Sequence, residues 1–333
     1  MGTENLYRYS NLRGLWSRRN DEIDKQVETI LSPHEFFDKY RKEEFYTGID
    51  EADKRQYLLV SEETVRRLHS EIEKIVSKTL PFPSNKHNSH YQIIKKFYME
   101  PTDFQKVEKN INDYNKNFKV YKKKTALNDR LMKAKKLCDE KKYLFIAIDV
   151  ESYERDHTCI LEVGWSMYNS KSDLFMDRHF CVKEYMHLRN NKYVADMKDR
   201  FIFGDSVWES SENIALEFTK DATQKEFVRE NEEFNDVILI GHDIAMEKKY
   251  LERMEIKIDE VIKPKEVFDT AELDGARTGN VSQRPSLGGM LDDLKIENYC
   301  LHNAGNDAHY TMCAFLEICK LPITNVSPPE IKS

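Results

Sequence analysis

Hydrophobic residues are spaced differently in the two halves of the chain. Before residue 143 they recur mostly at intervals of three and four positions, which is typical of amphipathic helices. This spacing predicts helices over 21–46, 61–78 and 125–140, and a further helix that begins near Thr102. The apolar stripe of that further helix consists of Phe104, Val107, Ile111, Tyr114 and Phe118. The N-terminal region is therefore predicted to be mainly α-helical.

From Tyr143 onwards, short and continuous apolar runs alternate with helical patterns. Continuous runs of this length are typical of strands that are covered on both faces. Strands are predicted over 143–150, 159–168, 178–183, 236–241 and 266–270. Helices are predicted over 244–254, 286–294 and 306–319. This order of elements indicates an α/β domain in which a mixed β-sheet is flanked by helices.

Length and pattern together predict more than one domain, because 333 residues exceed what one hydrophobic core usually fills. We divide the chain into a mobile N-terminus (1–20), a helical and basic region (21–142), an α/β domain (143–321) and a C-terminal tail (322–333). The stretch 184–235 of the α/β domain is less regular, and we expect it to contain an insertion and a helix.

Charge is distributed unevenly along the chain. Residues 1–142 contain 30 basic and 23 acidic residues, whereas residues 143–333 contain 22 and 36. The segment 86–142 alone has a net charge of +9. A basic segment beside an acidic domain suggests a polyanion that is held near a metal site. The alternative, which charge alone favours, is a lysine-rich helix face that is only solvated.

The cysteines and the first residues bear on location. None of the six cysteines forms a CxxC pair, so we expect reduced thiols in the cytoplasm or nucleus rather than a zinc site or disulfides. No apolar run approaches the roughly 20 residues that span a bilayer, so no membrane partner is expected. The segment 1–20 lacks the apolar core of a secretory signal, and its arginines leave mitochondrial import as a less favoured alternative.

Two carboxylates end the apolar run that begins at Tyr143. Asp149 and Glu151 are two positions apart, and residues two apart in a strand project from the same face. Two like charges on one face repel each other unless a cation lies between them, and hard cations prefer such oxygen ligands. The alternative is that Asp149 only ends the strand and that Glu151 is solvated.

Two more acidic residues lie on predicted helices. Glu247 shares a helix face with apolar residues, and a buried glutamate is costly without a partner, although Glu247 could also lie nearer the rim. Asp307 opens the last helix, where an acidic residue also simply suits the helix dipole. His302 lies in the preceding loop, where a histidine is usually a surface residue. Beside carboxylates it becomes a candidate general base, because its pKa is close to working pH.

Together, four carboxylates and one histidine converge from three segments of the chain. Asp149, Glu151, Glu247 and Asp307 are the predicted metal ligands. Two Mg²⁺ or Mn²⁺ ions about 4 Å apart could orient an in-line attack on a phosphodiester there. Each part of this signal is modest, but the combination predicts a nuclease.

Four segments resemble motifs of the DEDDh 3′–5′ exonuclease superfamily, whose fold is ribonuclease H-like. DVES at 149–152 resembles D-x-E-T, with Ser152 in place of the usual Thr. ILEVGW at 160–165 is similar to the second strand of the family, including its Glu. LIGHDIAMEKKYL at 239–251 resembles the motif H-N-x-x-F-D, and LHNAGNDAHYTM at 301–312 resembles H-x-A-x-x-D.

The resemblance covers residues 145–320 and implies a function. The insertion 189–204 and the sequence HNAGNDA resemble those of a fungal branch of the superfamily, which includes a factor associated with mRNA export. The superfamily hydrolyses nucleotides from a 3′ end and releases 5′-mononucleotides. By resemblance, Asp149, Glu151, Glu247 and Asp307 hold the metal ions, and His302 deprotonates the attacking water.

One departure and several alternatives bear on that function. Glu247 stands where the family usually has Asp, and its extra methylene could displace a metal ion by about 1 Å. A nuclease-fold binding module without turnover, in mRNA metabolism or export, is therefore one alternative. A DNA proofreading or repair exonuclease is another, because only the resemblance favours single-stranded RNA over DNA. The basic segment 86–142 could guide the strand, and the N-terminal region could also bind protein partners.

Overall fold

The structure of the chain is a computed structural model. It describes residues 5–16, 22–77, 79–83, 90–223, 236–281 and 283–331. The chain forms two compact units, the first comprising Met1–Lys122 with Ser327–Ser333 and the second comprising Lys123–Val326. The first unit has one hydrophobic core and the second has two apolar clusters.

The first unit combines helices with a four-stranded antiparallel sheet of order β1-β3-β2-β4. Its strands are β1 (Leu6–Arg8), β2 (Phe45–Asp50), β3 (Gln56–Ser61) and β4 (Tyr91–Phe97). Its helices are α1 (Tyr9–Trp16), α2 (Glu22–Ile30), α3 (Pro33–Lys39) and α4 (Glu62–Val76), and α5 (Phe104–Asp139) begins in this unit. The segment 6–16, which the sequence placed in a mobile N-terminus, thus forms β1 and α1.

The sequence pattern predicted helical structure in α2 to α5 but neither α1 nor the sheet. Helix α4 begins as expected, with the Ser61 hydroxyl accepting the N–H of Thr64 at 3.2 Å. The predicted helix 21–46 is instead α2, α3 and the start of β2. Strands β2 and β3 are short, and their pairing depends on tertiary contacts that helical spacing does not reveal. Most of the predicted loop 81–90 lies outside the described residues.

Helix α5 joins two predicted helices into one of 36 residues. The aromatic residues of its first half pack in a row. Tyr114 is buried, and the ring of Phe118 lies nearly parallel to it with the centroids 6.2 Å apart. Phe118 in turn lies 6.0 Å from the ring of Tyr121. Helical spacing favoured a core role for these rings over stacking on a nucleic acid; Tyr114 is buried, whereas Phe118 and Tyr121 are only partly buried.

The second unit is built on a six-stranded mixed sheet of order β10-β9-β5-β6-β7-β8. The strands are β5 (Leu144–Tyr153), β6 (Asp156–Asn169), β7 (Leu174–Val182), β8 (Ser206–Glu209), β9 (Val237–Gly241) and β10 (Glu266–Asp269). Strands β5, β6 and β7 pair antiparallel, whereas β9 is parallel to β5 and to β10.

Helices cover both faces of this sheet. They are α6 (Ser211–Ala222), α7 (Ile244–Arg253), α8 (Ile258–Val261), α9 (Thr270–Thr278), α10 (Leu287–Asp293) and α11 (Ala304–Lys320). Ile146 and Ile148 of β5 pack in the cluster that contains α6 and α7. Phe145 and Ala147, which point the opposite way, pack in the cluster that contains α9, α10 and α11. The predicted ribonuclease H-like α/β fold is therefore confirmed.

The sequence did not predict β8, α8 or α9 of this unit. Strand β8 and helix α8 have four residues each, too few for a periodic signal. None of the described helices is long and apolar enough to cross a membrane.

Candidate active site

Three carboxylates share one face of the central strands. Asp149 and Glu151 project from the same side of β5, as their spacing predicted. Glu151 lies directly opposite Glu162 of β6 in the antiparallel register. Residues that are opposite each other in such a pair point to the same face, with Cβ atoms about 5 Å apart. The end of β5 therefore has a concentrated negative charge.

A glycine brings helix α11 against this face. Gly164 lies opposite Asp149, and a Cβ at position 164 would overlap the carbonyl group of Ala304 at the start of α11. Asn303 caps the helix, its side-chain oxygen accepting the N–H of Asn306 at 3.1 Å. The close approach places the first turn of α11, with Asp307, over the carboxylates of β5.

His302 and Asp307 complete one side of the site. The backbone N–H of His302 donates to Asp307 Oδ2 at 3.0 Å, and His302 adopts a left-handed backbone conformation with φ 68°. One potential ligand atom from each of Glu151, His302 and Asp307 lies within 4.8 Å of the others. The ring of His302 is exposed, so water and substrate can reach it.

Glu247 reaches the site from helix α7, which packs in the apolar cluster on the other face of the sheet from α11. Its helix α7 follows β9, and its side chain is only 7% exposed. The backbone N–H of Val150 interacts with the carboxylate, while Oε2 is buried and has no hydrogen-bond partner. The inward orientation that its helical spacing predicted is therefore present. Asp243, by contrast, is 56% exposed and pairs with Arg284 at 2.8 Å.

Burial raises the pKa of all four carboxyl groups. The pKa of Glu247 rises to about 8 and that of Asp307 to about 7, in both cases chiefly because burial removes the carboxylate from water. Burial also raises the pKa of Asp149 well above its usual range, and Glu247 and Asp307 add to the rise by charge repulsion. The pKa of Glu151 is raised most by burial and next by repulsion from Glu162. The charged forms of these side chains thus need a compensating cation.

The donor set fits a hard divalent cation. Among the described residues, no lysine or arginine forms an ion pair with Asp149, Glu151, Glu247 or Asp307. Buried oxygens of Glu247 and Asp307, Oε2 and Oδ1, have no hydrogen-bond partner. Carboxylate oxygens with free lone pairs are the ligands that Mg²⁺ and Mn²⁺ prefer. The side chains therefore fit the metal that the sequence predicts.

Sequence reasoning missed the support behind these ligands. His179 of β7 is buried, and its Nε2 lies 2.9 Å from Glu162 Oε2, while its Nδ1 lies 2.8 Å from the hydroxyl of Ser206. Glu162 also accepts the N–H of Ala304 at 3.3 Å. This arrangement ties β6, β7 and α11 together. The signal in the sequence was an ionisable residue, Glu162 or His179, next to apolar residues in each of two strands. Only the register between the strands shows that these two residues pair.

Matches to known proteins agree with this geometry. The family model described as "DNA polymerase III subunit epsilon-like, C-terminal domain", a DEDDh domain, matches residues 144–318. The chain belongs to the DEDDh exonuclease-like family. The matched segment contains β5 to α11, and so every residue of the site just described.

Relatives are found among yeast proteins. A nucleolar protein of Schizosaccharomyces pombe is 33% identical over 178 residues, which cover 52% of this chain and 68% of the relative. The Saccharomyces cerevisiae "Good for full DBP5 activity protein 2" is 26% identical over 223 residues, covering 59% of this chain and 39% of its own length. The match thus spans less than half of this budding yeast relative. It supports the fungal branch that the sequence suggested.

Two solved structures have a partial likeness to this chain. The RNase domain of the yeast Pop2 protein has 13% identity and a TM-score of 0.33, with 59% of this chain and 84% of that chain covered. The S. pombe Pop2p structure in its Mg²⁺- and Mn²⁺-bound form has 15% identity and a TM-score of 0.34, covering 59% and 89%. The family assignment rests on the sequence matches alone.

Proposed function

We propose that the chain is a metal-dependent 3′–5′ exonuclease that acts on single-stranded nucleic acid, with RNA preferred. The observation that carries the proposal is the cluster of Asp149, Glu151, Glu247 and Asp307, four carboxylates with raised pKa values and no described cationic partner. Maintaining such a cluster opposes folding, so its retention supports a role in binding metal and substrate.

Each side chain has a proposed role. Asp149, Glu151 and Asp307 would hold one divalent ion, and Asp149 and Glu247 a second. Bound Mg²⁺ or Mn²⁺ would supply charge stabilisation of the phosphate and of the leaving oxygen. His302 Nε2 or Nδ1 takes the proton of the attacking water, because its exposed ring lies beside Glu151 and Asp307. The water oxygen bonds to phosphorus and the bond from phosphorus to the 3′ oxygen breaks. The 3′ oxygen stays on the shortened strand and takes a proton from solvent, and a 5′-mononucleotide is released.

The preference for RNA and a nuclear or cytoplasmic location rest on the relatives. One relative is named as nucleolar and another as "good for full DBP5 activity". Discrimination between RNA and DNA needs a contact to the 2′-OH. A DNA exonuclease would use the same carboxylates, so a matched DNA substrate is part of the test below.

A binding module without turnover is the second candidate. Glu247 favours it, because this residue carries one more methylene than the Asp of the family motif. If the site is built for glutamate, Glu247→Asp withdraws the carboxylate and lowers the cleavage rate by about a hundredfold. If Glu247→Asp instead creates or raises cleavage, the wild-type site has lost catalytic geometry and the binding module is favoured.

The decisive experiment is degradation of a 5′-labelled single-stranded RNA, and of a DNA of the same sequence, with Mg²⁺ or Mn²⁺. We expect a ladder that shortens from the 3′ end. Asp149→Ala and EDTA should each abolish it, whereas the exposed Asp243→Asn should leave it nearly unchanged. Absence of cleavage on both substrates with both metals would contradict the proposal.

A further inference from the structure

The segment 189–204 lies beside the carboxylate cluster and is fixed there by the end of β5. Glu154, three residues after Glu151, accepts backbone N–H groups of Lys192, Tyr193 and Val194 at 2.8 to 3.4 Å. The side chain of Asn190 also accepts the N–H of Glu154 at 2.9 Å. These hydrogen bonds hold the segment against the hairpin that carries Glu151.

The other end of the same segment is fixed by helix α11. Asn303 donates to the carbonyl groups of Met197 and Lys198 at 3.0 and 3.2 Å. Asn306 donates to the carbonyl groups of Arg200 and Cys300, both at 2.9 Å. The insertion therefore meets the loop that carries His302, and both loops are held by the helix that carries Asp307.

Three large apolar side chains on these two loops remain open to solvent. Tyr193 is 71% exposed, Ile202 is 46% exposed and Tyr299 is 61% exposed. Their backbones are held by the hydrogen bonds just described, and the N–H of Tyr299 is bonded to the hydroxyl of Tyr310 at 3.1 Å. An aromatic ring on a fixed backbone loses little entropy when it contacts a ligand. Single exposed apolar side chains are common on protein surfaces, so the charges around these three decide what they could bind.

Charge identifies the ligand. Residues 189–204 contain four basic and two acidic residues, within a domain, 143–333, that has a net charge of −14. Lys192 and Arg200 are exposed and form no ion pair among the described residues, and the ammonium group of Lys192 lies 4.7 Å from the ring centre of Tyr193. Exposed aromatic rings next to cationic side chains are the combination that binds single-stranded nucleic acid.

We propose that the insertion 189–204, together with Tyr299, is the surface that receives the single strand, with a base stacked on the ring of Tyr193. Lys192 and Arg200 contact the phosphates on either side of that base. The inference rests on the proposed function for the identity of the substrate, and it assigns the part of the chain that delivers the strand to the carboxylates.

The test is the affinity of the full chain for a short fluorescent oligouridylate with phosphorothioate linkages, measured by anisotropy with Mg²⁺. Loss of one stacked base weakens binding by about tenfold, so we expect that change for Tyr193→Ala. Tyr193→Phe should bind as the wild type does, because the ring is kept. Leu216→Ala, at a position that is 62% exposed on α6, is the matched control and should change nothing.

The outcomes separate the two proposals. If the chain cleaves RNA but Tyr193→Ala alters neither affinity nor KM, the exonuclease stands and this surface is wrong. An equal loss of affinity in Tyr193→Ala and Tyr193→Phe would also overturn the proposed surface, because the hydroxyl rather than the ring would then contact the strand. If no RNA is cleaved but Tyr193→Ala still loses affinity while Tyr193→Phe keeps it, the surface stands and the exonuclease fails.

Discussion

At the scale of single residues, Glu247 shows how function opposes stability. Its carboxylate is buried and repelled by Asp307 and by Asp243, and Oε2 has no partner. A side chain chosen only for folding would be apolar or neutral at this position. The same reasoning applies to Asp149, whose buried carboxyl group is repelled most strongly by Glu247 and Asp307.

Glu247→Gln should therefore stabilise the metal-free protein. Because the pKa of Glu247 rises from 4.5 to about 8 on folding, the folded state binds more protons than the unfolded state between these values. Stability of the wild type in EDTA should fall as pH rises through this window. Glu247→Gln should reduce this loss of stability at high pH. Its Tm at pH 8 should rise by about 2–4 °C for each kcal/mol gained in the free energy of unfolding.

Differential scanning calorimetry from pH 5 to pH 8.5 would measure this. The exposed Glu252→Gln, on the same helix, is the control and should leave the pH dependence unchanged. A fall in Tm for Glu247→Gln in EDTA would show that the carboxylate has a stabilising partner, which would contradict our description of the site.

At the scale of elements, the position of α11 decides whether the site exists. The helix carries Asp307 and is packed against β6 at Gly164, where the strand has no side chain. Its first turn is also tied to β6 and β7 through Glu162 and His179. The geometry of the carboxylates is thus set by helix–sheet packing rather than by the loops alone.

Gly164→Ala should move α11 away from the sheet. Its Cβ would overlap the carbonyl of Ala304, and overpacking of this kind costs about 1–3 kcal/mol. We expect urea denaturation to show that loss, and isothermal titration calorimetry to show weaker Mg²⁺ binding. Gly289→Ala is the control, because its Cβ would meet only Ser286 Oγ at 3.4 Å, and stability should be unchanged or higher. Unaltered Mg²⁺ binding in Gly164→Ala would contradict the role of this contact.

Local periodicity predicted the positions of the carboxylate side chains better than it predicted the contacts that hold them in place. The two-residue spacing predicted that Asp149 and Glu151 lie on one face of a strand. Helical spacing predicted that Glu247 points inward. The pairing of Glu162 with His179 depends on strand register, and the bonds of Asn303 to the insertion join residues more than 100 positions apart. Contacts of that range leave no periodic signal in a single sequence.

At the scale of the whole molecule, charge differs between the N-terminal and C-terminal parts. Residues 86–142 have a net charge of +9, and many of the lysines of α5, including Lys116 and Lys119, are exposed. The acidic C-terminal part repels a phosphate backbone over distances of about 10 Å at 0.1 M salt. The basic segment is therefore the part of the chain suited to the first encounter with a polyanion.

Replacing Lys116 and Lys119 together by Glu should weaken binding of oligouridylate most at low salt. Each lost phosphate contact reduces the slope of log affinity against log salt by about 0.7 for a single strand. We expect a reduction of about 1.4 for the pair, measured by anisotropy across a salt series. Lys263→Glu, an exposed lysine of the C-terminal part, is the control. An unchanged slope would favour a lysine face that is only solvated.

The anchoring of residues 189–204 has a consequence for how relatives of this protein can diverge. Glu154 and Asn190 hold one end of the segment and Asn303 and Asn306 hold the other, mostly through backbone groups that any sequence supplies. Lys198 is buried and Arg189 pairs with Asp199, so these side chains are constrained, whereas the exposed Tyr193 and Ile202 can vary while the anchors keep their geometry. The exposed positions of the segment can thus change, and ligand preference can evolve there, while the sheet and the carboxylates stay constant.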